Sequence, residues 1–121
     1  MKTDFEIKTE FDITKHIDFA EGRLVAKKVL DCDNGKVMLL AFDSNVETGE
    51  HSVAACVMVQ VLEGEVMFEI EGRQHNMLAG QQILMEPNTS HNVKAVTPAK
   101  VLVTRINCNC ADKPEGCGCK G

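Results

Sequence analysis

The most constraining feature of this sequence is a series of short segments with alternating hydrophobic residues, all within residues 49–91. In the two central segments, hydrophobic side chains recur at every second position, as they do in a half-buried β-strand. Glycine-containing breaks separate the segments, and no stretch of useful length shows the 3.6-residue period of a helix. The segments are residues 57–62, residues 66–70, a third that closes at Leu78, and residues 82–85. Short strands punctuated by glycine predict an antiparallel β-sandwich or β-barrel.

Further predicted strands flank this region on both sides. Residues 23–32 and 36–43 are hydrophobic segments joined by Asn34-Gly35, which favours a tight hairpin because it tolerates positive φ. Between its charged ends the second segment is hydrophobic, so we expect it to be buried on both faces. Residues 100–106 form the last predicted strand. The predicted units are an N-terminal arm or edge strand (1–22), a barrel (23–106) and a cysteine-rich tail (107–121).

Two spacings in the central region resemble the motifs of the cupin family. The first cupin motif ends in a glycine thirteen positions after its first histidine, and Gly64 and His51 have this spacing. The second motif opens with a glycine and continues to a histidine, and Gly80 and His91 match these two positions. The resemblance covers about residues 23–105. It implies an all-β fold, the antiparallel jelly-roll barrel of a small single-domain cupin.

The sequence departs from the cupin pattern at the metal ligands. Metal-bearing cupins hold one divalent ion with three histidines and a glutamate. The second histidine falls here on Val53 and the glutamate on Val57, so only His51 and His91 remain. Because neither valine can donate a lone pair, the resemblance implies a small cupin with an eroded first motif.

Strand alternation places the two histidines in one predicted pocket. His51, Val53 and Val57 share one face of their strand, and this face points into the barrel if the cupin alignment holds. Together with His91 and Met85 they form the predicted barrel pocket. A buried neutral imidazole needs partners for both ring nitrogens. A metal ion on His51 and His91, a ligand or water bonded to both, and an unused pair remain open alternatives.

The other two histidines and the two barrel cysteines receive structural assignments. We expect His16 to be a solvated surface residue in the arm. If Leu78 faces inward, alternation turns His75 outward, so His75 is not counted as a third ligand. Cys32 and Cys56 lie at the end of one strand and within another, where a cysteine usually packs as a small hydrophobic residue.

The C-terminal tail is not an ordinary cupin feature. It contains two Cys-x-Cys pairs separated by six residues, and four thiolates can surround one soft ion tetrahedrally. The cysteines are Cys108, Cys110, Cys117 and Cys119. Zinc is the first expectation, and Cu(I), iron or an iron–sulfur cluster accept the same ligands. A thiol redox role and a tail without either role are the alternatives.

Composition and charge narrow the choice of partners and compartment. The net charge is −5 and no basic patch is present, which argues against a nucleic-acid partner. No apolar run reaches the length of a membrane span, and the N-terminus lacks the pattern of a secretory signal. We therefore expect no membrane association and a cytoplasmic location. The cupin resemblance implies a homodimer, because the N-terminal segment of small cupins often crosses to a partner subunit.

The sequence thus predicts a small cupin-barrel binding protein, with a metal ion or small ligand in the barrel and a separate thiolate metal site in the tail. One alternative is a metal-dependent cupin enzyme of the dioxygenase or isomerase type, which needs further ligands for its ion. Another is a thiol redox or metal-responsive interaction protein in which the barrel is only a scaffold. Fold does not decide among these functions, because function depends on the site.

Overall fold

Eight β-strands account for most of residues 24–107 in the computed structural model, which describes residues 1–107. The predicted thiolate site in the tail lies outside the described residues. The strands are β1 (Leu24–Cys32), β2 (Gly35–Phe42), β3 (Ala55–Glu63), β4 (Glu65–Ile70), β5 (Arg73–Leu78), β6 (Gln82–Met85), β7 (His91–Ala95) and β8 (Ala99–Asn107). The helical content of this part is one 3-10 turn, Ile13–Lys15.

The strands form two antiparallel sheets that pack face to face. The larger sheet has the order β1-β2-β8-β3-β6, and the smaller has the order β5-β4-β7. Consecutive strands such as β2 and β3 lie in non-adjacent positions, with β8 between them. This arrangement confirms the predicted all-β jelly-roll fold.

The core lies between the two sheets, where the predicted alternation of β3 is observed. Val57, Val59 and Val61 are buried, while the intervening side chains are half-buried. Phe42 from the larger sheet and Phe68 from the smaller one are fully buried at the centre of this cluster. The burial of large apolar side chains from both sheets stabilises the barrel, at roughly 25 cal/mol per Å² of apolar area.

Strand β2 is covered on both faces, as its continuous hydrophobic sequence predicts. Its inward residue Phe42 joins the barrel core, whereas Leu39 and Ala41 face the outer side of the larger sheet. There the N-terminal arm covers them with Ile17, which is only 1% exposed. The described arm is thus an apolar cover that is joined to β1 by a β-bridge between Lys2 and Asp31 and by hydrogen bonds between Asp4 and Lys28.

Gly64, the glycine that closes the first cupin motif, makes the turn from β3 to β4. Its φ is +82°, in the left-handed region that favours glycine. A Cβ atom at this position would overlap the carbonyl oxygen of Pro98. Both the backbone conformation and the close approach of Pro98 therefore require glycine here.

Two predicted side-chain orientations are wrong. Leu78 is 52% exposed and Met77 is the buried residue at the end of β5, so the inward side of this strand is the opposite of the expected one. His75 lies two positions before Met77, is half-buried, and pairs across the sheet with the buried Phe68. The prediction failed because both Met77 and Leu78 are apolar. Cys32 is exposed at the end of β1 instead of packed.

Candidate functional site

The site is built where the loop of residues 43–54 runs beside β7. His51 and His91 are directly opposite each other and exchange both backbone hydrogen bonds, each with an N···O distance of 2.9 Å. Further along the loop, Thr48 N donates to Val93 O at 2.9 Å, and Asn45 N donates to Ala95 O at 2.9 Å. The loop therefore acts as an irregular strand whose register with β7 is fixed at several positions.

The Asn92 side chain holds this loop in place. Its Oδ1 accepts a hydrogen bond from Gly49 N at 3.0 Å, and its Nδ2 donates to Glu47 Oε1 at 3.0 Å. Thr48 Oγ1 accepts from Val93 N at 3.2 Å. These bonds all join the loop to β7, and they leave His51 little freedom because it follows Gly49 by two residues.

The two imidazole rings face each other at a centroid distance of 4.2 Å, with an interplanar angle of 57°. His51 Nδ1 lies 2.9 Å from the carbonyl oxygen of Gly49, and His91 Nδ1 lies 2.9 Å from that of Thr89. Since a carbonyl oxygen can only accept, Nδ1 carries the proton in both rings. In the neutral form, Nε2 of each ring is then a hydrogen-bond acceptor or a metal ligand.

The environments of the two rings differ. His91 is 6% exposed and stacks on Phe68, with ring centroids 5.7 Å apart and 11° between the planes. Burial lowers the pKa of His91 below its ordinary value of 6.5, and the nearby His51 and Arg105 lower it further, against the opposite effect of the Thr89 carbonyl. His91 is therefore neutral at pH 7.

His51 is exposed, so the prediction that it enters an apolar interior is wrong. It belongs to the loop, before β3 begins at Ala55, and it lies at the mouth of the barrel. The strand alternation that was used to place it does not extend this far along the chain.

Both histidines line a cavity of about 240 Å³ inside the barrel mouth. Its walls come from the larger sheet, from β7 and from the loop, and they are mostly apolar. The lining residues are Lys36, Met38, Leu40, Thr48, His51, Val57, Val59, His91, Val93, Val103 and Arg105.

Of the five residues predicted for the pocket, His51, His91 and Val57 lie together in this cavity. Val53 is half-buried and packs against the barrel core. Met85 is buried and lines a separate hollow of about 370 Å³ beside β6. Inward-facing side chains of the barrel thus do not all reach the same cavity.

Two cationic residues of the cavity, Lys36 and Arg105, were missed by the sequence analysis. They are directly opposite each other on β2 and β8, and they share the inward face of the sheet with Met38 and Val103. Both side chains are half-buried. Within residues 1–107, neither side chain makes a hydrogen bond or an ion pair. The sequence shows a cation on each strand, but it indicates neither the side that the cation faces nor the β2–β8 register.

The described residues do not fit the four-ligand metal centre of the cupin family. Val57 lines the cavity and Val53 packs outside it, at the positions of the missing ligands. In the part of the chain that the structure describes, no group of three or more histidine, cysteine, aspartate or glutamate side chains could hold a metal ion. The cations Lys36 and Arg105 on the same cavity disfavour a further positive charge.

The sequence belongs to the cupin family, because the cupin domain family model matches residues 39–105, more than half of the chain. This match covers most of β8 and half of β2, residues 39–42, as well as both histidines. Among curated proteins, no sequence matches this chain. Among residues 1–107, no helix has the length and apolar character that crossing a membrane requires.

Solved structures share the fold over most of the chain. A conserved protein of unknown function from Streptococcus pyogenes has a TM-score of 0.82 at 20% identity, over 88% of this chain and 96% of that one. A cupin superfamily protein from Desulfitobacterium hafniense has a TM-score of 0.82 at 11% identity, over 88% and 99%. An RmlC-like cupin protein from Desulfovibrio desulfuricans has a TM-score of 0.73 at 29% identity, over 81% and 95%.

Proposed function

We propose that this cupin is a binding protein that holds a small ligand in its barrel cavity. The observation that carries the proposal is the His51–His91 pair, which the backbone fixes at the mouth of the cavity. Both Nδ1 atoms are satisfied by carbonyl groups, so the two Nε2 atoms are the acceptors left for a ligand. The apolar walls favour a small molecule that has a hydrocarbon part and a hydrogen-bond donor.

Binding is favoured over catalysis by the chemistry of the described lining residues. Among these, no carboxylate is present to exchange a proton with His91, and the lowered pKa of His91 keeps it neutral. An enzyme of the dioxygenase or isomerase type would also need a reactive ion with open positions. Two histidines hold such an ion poorly.

The test is an NMR titration of the full-length protein with a panel of small hydroxyl- or amine-bearing molecules that includes 2-hydroxy-3-methylbutanamide. We expect binding to perturb the imidazole signals of His51 and His91 and to be lost in His51→Ala and His91→Gln. His16→Ala is the matched control, because His16 Nδ1 also lies 3.0 Å from a carbonyl oxygen, that of Asp12, but in the arm. If no panel member perturbs the His51 and His91 signals, the proposal is wrong.

A metal ion on His51 and His91 is the second candidate for the barrel. The Nδ1–carbonyl hydrogen bonds favour it, since metal-binding histidines usually donate their other N–H in this way. Cupins commonly bind metal ions. The remaining coordination positions would be taken by water or by the ligand itself.

We further propose that the tail cysteines hold a soft metal ion, zinc first, in the reducing cytoplasm. The support is the pair of Cys-x-Cys spacings. Elemental analysis separates the two metal proposals. Metal that disappears when the four tail cysteines are replaced by serine belongs to the tail. Metal that disappears in His51→Ala or His91→Gln belongs to the barrel.

We also propose that the protein is a homodimer formed through strand β6. This strand is one of the two edges of the larger sheet, and it carries Leu84, which is 74% exposed and lines the same hollow as Ile106, which is 58% exposed. A short apolar edge strand pairs readily with its own copy about a two-fold axis. Sedimentation equilibrium should show a dimer that Leu84→Lys dissociates, whereas Leu78→Lys, at an exposed leucine of the other sheet, should not. A monomeric wild-type protein would contradict this proposal.

A further inference from the structure

We infer that the ligand of the barrel is a small hydroxy acid, whose carboxylate is bound by Lys36 and Arg105. Its hydroxyl group donates to Nε2 of His51 or His91, and its short hydrocarbon part lies against the apolar walls. The inference rests on the proposed function, a small ligand in this cavity, and it names the chemical class of that ligand.

The pairing of Lys36 and Arg105 in the larger sheet favours a bound anion. Lys36 and Arg105 are register partners on β2 and β8, and like charges directly opposite each other destabilise a sheet. Surface pairs of this kind are often relieved by a neighbouring carboxylate. Within the described residues, the cavity lining contains no carboxylate, and neither cation has an ion-pair partner. An anion in the cavity would therefore supply the counter-charge that the described residues lack.

The partial burial of the two cations also favours a bound anion. Both cations are half-buried, and they share the cavity with the apolar side chains of Met38 and Leu40. A charge that is partly removed from water gains from an acceptor that replaces the lost hydration. The planar guanidinium of Arg105 offers two parallel N–H donors, which match the two oxygens of a carboxylate. A carboxylate thus fits better than a spherical anion.

The opposite wall of the cavity, which carries the two histidines, selects the second polar group of the ligand. The two histidines offer lone pairs at Nε2, so they select a hydrogen-bond donor on the ligand. An ammonium group would supply one, but Lys36 and Arg105 repel a further positive charge in the same cavity. A hydroxyl group is a neutral donor. The two walls together therefore favour a hydroxy acid over an amino acid.

The experiment compares two probes of the same shape, 2-hydroxy-3-methylbutanoate and 2-hydroxy-3-methylbutanamide, by calorimetry or NMR titration on the full-length protein. We expect the acid to bind about tenfold or more tightly than the amide, the usual contribution of a charge-assisted hydrogen bond. Arg105→Gln and Lys36→Gln should remove most of this difference, so that each variant binds the acid and the amide with similar affinity. Lys94→Gln is the control, because Lys94 is exposed on β7 and does not line the cavity.

The outcomes separate the two proposals. Equal binding of acid and amide, or acid binding unchanged in Arg105→Gln, would overturn the hydroxy-acid inference and leave the small-ligand function standing. Failure of both probes, together with failure of the neutral panel, would overturn the small-ligand function as well. Tighter binding of the matched amino acid, 2-amino-3-methylbutanoate, would show that the donor assignment is wrong.

Discussion

The cavity has two walls, and each is built around a cross-strand pair of polar residues. On one wall, His51 and His91 are satisfied at Nδ1 by the carbonyl groups of Gly49 and Thr89, each two residues earlier in the chain. On the other, Lys36 and Arg105 carry like charges with no partner among the described residues. The histidine rings are thus held in place in the free protein, whereas a bound anion would supply the cation pair with a counter-charge that the described residues do not provide.

The two pairs therefore have different roles in binding: the histidines position the ligand, and the cations select it by its charge. Rings that are fixed by the backbone present their acceptors without any ligand present, which reduces the entropy that binding costs. Unpaired cations select the charge of the ligand and reject the wrong one. Together the two walls explain why a barrel that lacks the four-ligand metal centre can still be a specific site.

The largest expected effect comes from Arg105→Glu. This substitution places a carboxylate in the wall that carries Lys36 and Arg105, which we call the cation wall. We expect the affinity for 2-hydroxy-3-methylbutanoate to fall roughly 100-fold, because a charge-assisted bond is replaced by repulsion. The fold should be retained, since the new carboxylate lies opposite Lys36 on β2. Calorimetry measures the loss of affinity, and thermal unfolding checks the fold.

The same substitution also tests the metal alternative. A carboxylate near two Nε2 atoms provides the two-histidine, one-carboxylate ligand set that divalent metals accept. In a background with the tail cysteines replaced by serine, Arg105→Glu should gain Co²⁺ binding, seen as visible absorption, relative to Arg105→Gln. Equal Co²⁺ binding by the wild-type barrel would mean that its cations do not exclude a metal ion.

The next effect distinguishes the two members of the histidine pair. His91→Ala should destabilise the protein by about 1–3 kcal/mol, because it leaves a gap against Phe68 and an unsatisfied Thr89 carbonyl. His51→Ala should cost less than about 0.5 kcal/mol, since His51 is exposed. Urea denaturation measures both values. A similar cost for the two variants would contradict the difference in burial.

The sequence was sufficient for the strands and for one wall of the cavity. Alternation located β3 and β4 to within a few residues, and the motif spacing brought His51 and His91 to the same place. Alternation failed where both faces of a strand are apolar. Met77 and Leu78 gave no indication of which side faces inward, so His75 was assigned to the wrong one.

The cation wall could not be predicted, because it depends on a pairing between distant parts of the chain. Lys36 begins β2 and Arg105 is near the end of β8, and only the antiparallel register of the two strands makes them neighbours. Both strands have apolar residues on both faces, since the N-terminal arm covers the outer face of the sheet. Nothing local therefore marked either cation as facing the cavity.

A smaller effect is the pH dependence of stability, which links His91 on one wall to Arg105 on the other. The pKa of His91 is lowered in the folded protein, so the unfolded chain binds a proton first as the pH falls. Stability is then fully present above about pH 6.5 and is lost as the pH falls through the folded pKa. Urea midpoints across this range measure the loss, and His91→Gln should remove this contribution.

Arg105→Gln tests this coupling. Arg105 is one of the causes of the lowered pKa, so its removal should bring the folded pKa of His91 closer to the ordinary value and reduce the acid-induced loss. Lys94→Gln, outside the cavity, provides the comparison. An unchanged pH profile in Arg105→Gln would show that the two walls act independently.

The smallest effect concerns the strain between the two cations themselves. Lys36→Met should stabilise the ligand-free protein by roughly 0.2–1 kcal/mol, because it removes a like-charge cross-strand pair and adds an apolar side chain beside Met38. The same substitution should weaken binding of the hydroxy acid. Lys94→Met, at an exposed position on β7, should change neither value by a comparable amount. We expect a gain of stability together with a loss of affinity only if Lys36 contributes to binding and not to the stability of the ligand-free protein. If Lys36→Met instead destabilises the ligand-free protein, Lys36 has a favourable partner in that state, and the cation wall is not open to a ligand.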